Sequence, residues 1–250
     1  MIVDTHTHWG IVWEDKYATD PSEWLATLDR HGVDMAILMG HRGLTRNADI
    51  ERSNDIVKKA CDNSGGRLVP VATVHPDFGD AAVRELERCL VELDMRGLKL
   101  HPWIQGVSTA GPVMDDLCDV CGRFQTPVIF HDGTPCYSMP SQIGGLALRF
   151  PETTFVLGHA GLLDLWRSAI SIGRRCENVC LTLCGPHLAG IRGIVETIDP
   201  DRLMWGSDYG FGWSDSIDYR LHLLDDIEMD GDTRKKIMGG NAVRLFRLNG

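Results

Sequence analysis

The amino terminus of the chain carries two histidines at a spacing suited to metal binding. His6 and His8 follow Ile2 and Val3, which predict the start of a buried strand. In an extended strand, side chains two positions apart point to the same face, about 6.5 Å apart along the backbone. Two imidazoles at that separation can bind one divalent cation, and Asp4 on the same face is expected to orient them. The same pair is also compatible with two surface histidines on a strand, so the other histidines decide the interpretation.

Most of the other histidines fall at the ends of predicted strands. The chain has ten histidines, and only His31 and His222 lie within predicted helices. The remaining ones lie at or just past strand ends: His6, His8, His41, His75, His101, His131, His159 and His187. In parallel barrels the active site is built at the carboxyl ends of the strands. Histidines collected at these ends therefore predict a metal or proton-transfer site.

Strands and helices alternate along the whole chain. The eight apolar runs that predict strands cover residues 2–8, 33–39, 68–74, 97–102, 127–131, 154–157, 178–183 and 201–208. Repeated strand–helix–strand units build parallel sheets, so we predict an α/β fold, a closed (β/α)8 TIM barrel forming one domain over residues 1–250. The alternative is an open doubly wound sheet. Such a sheet normally has a glycine-rich phosphate turn after its first strand, where this chain has the histidine pair.

Composition limits the classes of partner. The net charge of −10 argues against nucleic acid or an anionic membrane surface. No apolar run approaches 18 residues and no leader precedes the first strand, so a cytoplasmic protein with a small-molecule substrate is expected. A homodimer is compatible with these features. The eight cysteines are predicted to be reduced, mostly buried and without a role in function.

Six motifs, taken in order, resemble those of a known enzyme family. They are Asp4-Thr5-His6-Thr7-His8, Gly97-Leu98-Lys99-Leu100-His101-Pro102, Pro127-Val128-Ile129-Phe130-His131, Gly158-His159-Ala160-Gly161, Trp205-Gly206-Ser207-Asp208 and Gly240-Asn241-Ala242-Val243-Arg244-Leu245-Phe246. As a set they resemble the amidohydrolase superfamily over nearly the whole chain. The most similar branch is the amidohydrolase-related one, which includes the aminocarboxymuconate-semialdehyde and resorcylate decarboxylases.

The resemblance implies a metal at the barrel mouth, held by His6, His8, His131 and Asp208. His159 would face that metal. In mononuclear members the equivalent histidine orients or activates the bound water, and in binuclear members it binds a second metal. Zinc suits such a mixed nitrogen and oxygen site, with one ion favoured and two as the alternative. His159 and Asp208 are the expected catalytic residues, because either can exchange protons with the substrate or water.

Lys99 and His101 have more than one interpretation. The resemblance places Lys99 on the strand where binuclear relatives have a carboxylated lysine between two metals. Lys99 lies two residues before the predicted strand end, however, so it could instead pair with a barrel carboxylate or bind an anionic substrate group. His101 is either a substrate contact or a residue that supports the metal ligands. Further candidate substrate contacts follow strands 2, 4 and 5: His41, Arg42, Trp103 and Tyr137.

Three functions are compatible with these residues. The first prediction is a metal-dependent hydrolase, in which metal-activated water attacks an ester, lactone or amide carbon. The alternative is a metal-dependent non-oxidative decarboxylase or hydratase that acts on a small unsaturated or aromatic carboxylic acid. The third is an inactive barrel that serves as a binding module, which the intact set of histidines and Asp208 argues against.

Overall fold

Eight parallel strands and the helices between them account for most of the chain. The computed structural model describes residues 1–9, 19–40, 45, 49–210 and 216–248. The strands are β1 Val3–Trp9, β2 Met35–Gly40, β3 Leu68–Thr73, β4 Leu98–Leu100, β5 Val128–Phe130, β6 Phe155–Leu157, β7 Val179–Thr182 and β8 Leu203–Met204. The α-helices are α1 Ser22–His31, α2 Ile50–Asp62, α3 Asp80–Val91, α4 Pro102–Gln105, α5 Pro112–Arg123, α6 Pro140–Arg149, α7 Trp166–Arg175, α8 Leu188–Val195, α9 Ser216–Asp225, α10 Gly231–Lys235 and α11 Asn241–Leu245.

The strands pair in the order of the chain, and the segment after β8 returns to β1. The sheet runs from β1 to β8 with each strand hydrogen-bonded to the next. Beyond β8, the Asp208 amide donates to the carbonyl oxygen of His6 at 2.8 Å, and the His8 amide donates to that of Tyr209 at 2.8 Å. These bonds join the last strand to the first. The predicted TIM barrel is therefore confirmed.

Side chains inside the barrel and between barrel and helices form two separate apolar clusters. The inner cluster includes Val3, Val71 and Ile129. The outer cluster, packed under the helices, includes Leu98 and Leu100 of β4. Because neighbouring side chains on a strand alternate between faces, Lys99 points into the barrel between two outward leucines. The predicted alternation along this strand is confirmed.

A register shift in β1 places the two histidines inside the barrel. Asp4 pairs with Ala36 and Thr7 with Leu38, so three steps along β1 match two along β2. This extra residue is a β-bulge, which reverses the inward and outward alternation beyond it. Val3 faces inward before the bulge. Without the bulge, the even-numbered His6 and His8 would therefore point away from the barrel axis.

Helix ends follow their capping residues. Gly32 ends α1 with a left-handed φ of 66°, as the sequence predicts. Helix α2 begins at Ile50, where the Asp49 side chain accepts from the Arg52 amide, three residues later than the predicted start at 47. Helix α4 is a single short turn that was not predicted. Within the described ranges, none of the helices is long and apolar enough to cross a membrane.

Candidate active site

The carboxyl ends of the strands bring the predicted polar residues together. His6 and His8 lie within β1 and Lys99 within β4, while His131 directly follows β5 and His159 lies two residues past β6. All five of these side chains except His131 are almost completely buried. Asp208 lies four residues past β8 and keeps 31% of its side chain exposed. The site is therefore a buried group of imidazoles with one carboxylate at its open edge.

Asp208 faces both histidines of β1. Its Oδ1 atom lies 3.2 Å from Nε2 of His8 and 3.7 Å from Nε2 of His6. The backbone of Asp208 has a φ of 63°, in the left-handed region that asparagine and aspartate tolerate better than most residues. This turn brings the carboxylate back over β1. One carboxylate oxygen thus faces two imidazole nitrogens, which is a donor set suited to a transition-metal ion.

His159 completes the cluster on the other side of His6. One ligand atom from each of His6, His159 and Asp208 lies within 4.8 Å of the other two. The ring centroid of His159 is 4.6 Å from that of His6 and 4.5 Å from that of His131. His159 therefore lies between two of the predicted ligands. This position fits either of its predicted roles, proton exchange or binding of a second ion.

Burial keeps the imidazoles of the site neutral. It lowers the pKa of His6, His131 and His159 well below the usual value, and the nearby charge of Lys99 lowers it further. Burial also lowers the pKa of His8, although its hydrogen bond to Asp208 opposes the effect. A neutral imidazole has a nitrogen lone pair that is free to bind a metal, and a protonated one does not. The environment thus prepares these rings as ligands before any metal is bound.

Asp4 supports the site from the β8 side. Its Oδ1 accepts from the backbone amides of Ser207, at 2.9 Å, and His6, at 3.2 Å. Its Oδ2 accepts from the Ser207 hydroxyl at 2.5 Å. Burial raises the pKa of Asp4 to about 7, although these bonds oppose the rise. Asp4 therefore ties the backbone at His6 to the residue preceding Asp208, which agrees with its predicted orienting role.

Lys99 ends against the same cluster. Its Nζ atom lies 3.1 Å from Nε2 of His6. Burial lowers the pKa of Lys99 to about 8, with the charge of Asp208 acting in the opposite direction. The amine is therefore inside the barrel and next to a predicted metal ligand, where any of its predicted roles can be performed.

His101 and His131 form a stacked pair at the mouth. Their ring centroids are 3.8 Å apart and the planes differ by 7°. Nε2 of His131 lies 3.0 Å from Oγ1 of Thr134, so this hydroxyl competes for the nitrogen with any metal. Gln105 accepts from the His101 amide at 2.8 Å and donates to the carbonyl oxygen of Val74 at 2.7 Å. The short helix α4 thus braces His101 against the end of β3.

Two residues that the sequence analysis passed over hold His159 in place. Each carboxylate oxygen of Asp132 accepts a hydrogen bond of 2.6 Å from a backbone amide, Oδ1 from that of His159 and Oδ2 from that of Gly161. Burial raises the pKa of Asp132 to about 7, against the effect of these bonds. Cys184, just past β7, places its Sγ atom 3.3 Å from Nδ1 of His159. Asp132 could have been suspected because it follows His131 directly, whereas no local pattern points to Cys184.

The backbone of β6 approaches His6 closely. A Cβ atom at Gly158 would lie 2.6 Å from Cε1 of His6 and 2.5 Å from the carbonyl oxygen of Phe130. Contacts of that length do not occur between real side chains, so glycine is required where β6 faces this ring. The absence of a side chain at Gly158 therefore lets the imidazole of β1 reach the centre of the site.

The predicted substrate contacts are placed unevenly. The Trp103 ring lies 6.1 Å from that of His101, and its side chain is 55% exposed. Tyr137 is also exposed, on the loop after β5. His41 and Arg42 lie outside the described residues. Of the two described aromatic candidates, Trp103 therefore has the ring that lies beside a histidine of the site, where it is open to contact with a ligand.

The donor set fits a divalent metal. Three residues present ligand atoms within 4.8 Å of one another, and the His8 imidazole also faces the Asp208 carboxylate. Nδ1 of His6 is buried without a hydrogen-bond partner among the described residues. A buried nitrogen without a partner costs free energy unless an ion, a water molecule or a movement of the ring satisfies the imidazole. His6, His8 and Asp208 are thus arranged as expected for a metal centre, with the imidazoles of His131 and His159 beside them.

Comparison with known protein families agrees with this geometry. The family model described as amidohydrolase matches residues 3–248. The gamma-resorcylate decarboxylase of Polaromonas sp. is 24% identical over 89% of this chain and 86% of its own length. The 2-amino-3-carboxymuconate-6-semialdehyde decarboxylase of Dictyostelium discoideum is 19% identical over 94% of this chain and 79% of its own length. The 2-pyrone-4,6-dicarboxylate hydrolase of Comamonas testosteroni is 22% identical over 98% of this chain and 89% of its own length.

Solved structures share the fold. The crystal structure of a 2,6-dihydroxybenzoate decarboxylase complexed with 2,6-dihydroxybenzoate has a TM-score of 0.76, 18% identity and 99% coverage of both chains. A 5-carboxyvanillate decarboxylase from Novosphingobium aromaticivorans has a TM-score of 0.73 and 16% identity, with 99% of this chain and 97% of that chain covered. That second structure holds manganese and a nitrobenzoic acid. These structures show the fold; among the three sequence relatives two are decarboxylases, so the sequence comparison favours the predicted alternative over the first-ranked hydrolysis.

Proposed function

This chain belongs to the amidohydrolase family, and from that premise we propose that it is a metal-dependent, non-oxidative decarboxylase of a small aromatic or unsaturated carboxylic acid. The proposal is supported by the composition of the site taken together with the reactions of the relatives. A buried group of neutral imidazoles and a carboxylate lies at the barrel mouth, and the relatives that share the fold over nearly the whole chain are mostly decarboxylases. The match to the family model shows that the chain belongs to a superfamily of enzymes, whereas its reaction and its substrate are proposed here.

In the proposed site, His6, His8, His131 and Asp208 hold one divalent cation. A bound divalent cation supplies Lewis acidity, which polarises a carboxylate or hydroxyl oxygen of the substrate. Zinc suits the imidazole-rich donor set, and the manganese in the 5-carboxyvanillate decarboxylase makes that ion the second choice. Lys99 remains a free amine in this proposal, so the chain holds one ion.

Decarboxylation needs protons to be moved but neither an oxidant nor a net water molecule. The bond between the ring carbon and the carboxylate breaks, its electron pair stays on that carbon, and a proton replaces the carbon dioxide that leaves. His159 and Asp208 are the groups proposed to exchange protons with the substrate, because both reach the centre of the cluster. Lys99, next to His6, provides a positive charge that favours an anionic substrate. Trp103 offers an exposed aromatic face beside the histidine group for a flat substrate.

Hydrolysis of a lactone is the second candidate, and one relative favours it. The 2-pyrone-4,6-dicarboxylate hydrolase is 22% identical over 98% of this chain. Its reaction would use the same residues to handle the protons of an attacking water molecule. The two reactions differ in their products, because only decarboxylation releases carbon dioxide.

The proposal is tested by measuring carbon dioxide release from a small panel of acids. Purified protein loaded with zinc or manganese is incubated with 2,6-dihydroxybenzoate, 5-carboxyvanillate and 2-pyrone-4,6-dicarboxylate, and product formation is followed by mass spectrometry. Release of carbon dioxide from an aromatic acid supports the proposal, provided that His6→Ala/His8→Ala protein treated in the same way is inactive. Ring opening of the pyrone without loss of carbon dioxide would instead support the hydrolase.

A further inference from the structure

The turn after β7 packs directly against His159. A Cβ atom at Gly185 would lie 2.0 Å from the carbonyl oxygen of His159. Only a residue without a side chain allows the backbone to approach so closely. The preceding residue, Cys184, is consequently aimed at the imidazole ring. Its side chain is 1% exposed, so its polar contacts are made within the protein.

Cys184 makes two contacts that together determine its hydrogen-bonding pattern. Its Sγ atom lies 3.0 Å from the carbonyl oxygen of Gly158 and 3.3 Å from Nδ1 of His159. A carbonyl oxygen can only accept, so the contact with Gly158 requires the single hydrogen of the thiol to point at that oxygen. The sulfur is then left as an acceptor towards the imidazole. The hydrogen between Sγ and Nδ1 must therefore come from the ring.

The consequence for His159 is a defined tautomer. A neutral imidazole carries one ring hydrogen. The hydrogen bonds made by the two ring nitrogens determine which of them holds it. If Nδ1 donates to Cys184, Nε2 has the lone pair and is the atom that remains for the cluster of His6 and Asp208. Asp132 fixes the backbone of the same residue through the His159 and Gly161 amides. Backbone and ring are thus held from two neighbouring strands.

We propose that Cys184 is a positioning residue that holds His159 in the Nδ1–H tautomer and so makes it a proton acceptor towards the substrate. This inference rests on the proposed role of His159 in proton exchange. In decarboxylation of a hydroxyl-bearing aromatic acid, His159 would accept the hydroxyl proton through Nε2. The carbon losing its carboxylate would receive a proton that Asp208 takes up from water, and His159 would return the hydroxyl proton to the product. Cys184 itself touches neither substrate nor metal, and it keeps its hydrogen throughout.

The tautomer can be read without any activity. Protein labelled with ¹⁵N at histidine is prepared metal-free and zinc-loaded, and two-bond ¹H–¹⁵N correlation spectra are recorded near pH 7.5. The signals of His159 are those missing from His159→Asn protein. We expect a protonated Nδ1 and an unprotonated Nε2 in the metal-free protein, and the same protonation at Nδ1 with zinc. A protonated Nε2 in the metal-free protein would overturn the proposal.

Substitutions at Cys184 test the cause. Cys184→Ala removes the acceptor, and the His159 signals should then show a mixture of the two tautomers. Cys184→Ser can donate to Gly158 and accept from Nδ1 in the same way, so it should keep the single tautomer. Cys121→Ala is the matched control, since Cys121 is a completely buried cysteine in the outer core. An unchanged tautomer in Cys184→Ala would refute the role of the thiol, as would a change of equal size in Cys121→Ala.

Kinetics separate positioning from structural support. In Cys184→Ala, kcat should fall about 10–100-fold with little change in KM, the usual effect of losing a residue that orients a group acting on substrate. Cys184→Ser should recover part of that loss. Because the spectra need no substrate, a chain that lacks decarboxylase activity but shows the expected tautomer would refute only the proposed function. Equal kcat in wild type and Cys184→Ala, with decarboxylation established, would overturn the inference.

Discussion

Substitution of Gly158 by alanine tests the close approach of β6 to His6. The added Cβ would lie 2.5 Å from the Phe130 carbonyl oxygen and 2.6 Å from Cε1 of His6. The first contact is with a paired strand that cannot retreat, so the His6 ring has to move. Overpacking of this kind costs about 1–3 kcal/mol in the free energy of unfolding. For a chain of this size, that corresponds to a fall in Tm of about 2–12 °C.

The displaced ring should also bind metal more weakly. We expect Gly158→Ala protein to retain less metal than wild type after dialysis, measured by elemental analysis alongside urea unfolding. Gly145→Ala is the matched control, because Gly145 is exposed within α6 and a Cβ there meets no atom within 4 Å. The free energy of unfolding of that variant should rise by about 0.5–1 kcal/mol, and the variant should keep its metal. Wild-type stability and full metal content in Gly158→Ala would refute the reasoning about His6.

Three further outcomes are expected. The His6→Ala/His8→Ala variant should lose most of an initial content of about one metal per chain by elemental analysis, and full retention would mean that the site is wrongly placed. His159→Asn should keep its metal while kcat falls about 10²–10⁴-fold, whereas Asp208→Asn should lose both activity and metal affinity; equal metal loss in His159→Asn and His131→Asn would make His159 a ligand. Burial alone would raise the pKa of Glu85, but hydrogen bonds from Arg88, Asn54 and Cys89 leave that pKa below the usual value. The ionised carboxylate therefore stabilises the fold above the unfolded pKa of about 4.3. This stabilisation is lost as pH falls through the folded pKa. The difference in unfolding free energy between wild type and Glu85→Gln, measured in urea from pH 7 down to pH 3, should therefore shrink on acidification; a constant difference would contradict it.

The barrel, and the gathering of the candidate site residues at one end of it, could be predicted from the sequence because both depend on local patterns. Apolar runs separated by amphipathic stretches indicate strand–helix repeats, and polar residues at the carboxyl ends of parallel strands must meet at one mouth. The same logic correctly placed Lys99 inside the barrel between Leu98 and Leu100. These inferences needed no knowledge of which strand is adjacent to which.

The features that were not foreseen depend on contacts between strands. The bulge in β1 exists only relative to β2. The spacing of Asp4, His6 and His8 predicts one shared face, and it contains no sign of the register shift that turns the histidines inward. Cys184 contacts a histidine 25 positions away, and its role follows from the packing of the turn after β7 against β6. The prediction that the cysteines have no role in function is therefore revised for this one residue by the proposal made above.

Assignment of the reaction was limited for a different reason. The metal ligands and proton-exchanging groups serve hydrolysis and decarboxylation equally well, and the loops that select a substrate carry no periodic signal. Two predicted substrate contacts, His41 and Arg42, lie outside the described residues. Only the comparison with relatives moved the choice towards decarboxylation.

The central claim, decarboxylation at this cluster, is tested most directly by labelled water. Metal-loaded protein is incubated with 2,6-dihydroxybenzoate, and separately with 2-pyrone-4,6-dicarboxylate, in D₂O enriched in ¹⁸O, and the products are analysed by mass spectrometry. The account predicts a dihydroxybenzene product that has lost carbon dioxide and carries one carbon-bound deuterium, at the position the carboxylate left, with no ¹⁸O from solvent in its hydroxyl groups. A ring-opened pyrone product that retains every carbon and has gained one ¹⁸O, with the aromatic acid unchanged, would contradict it.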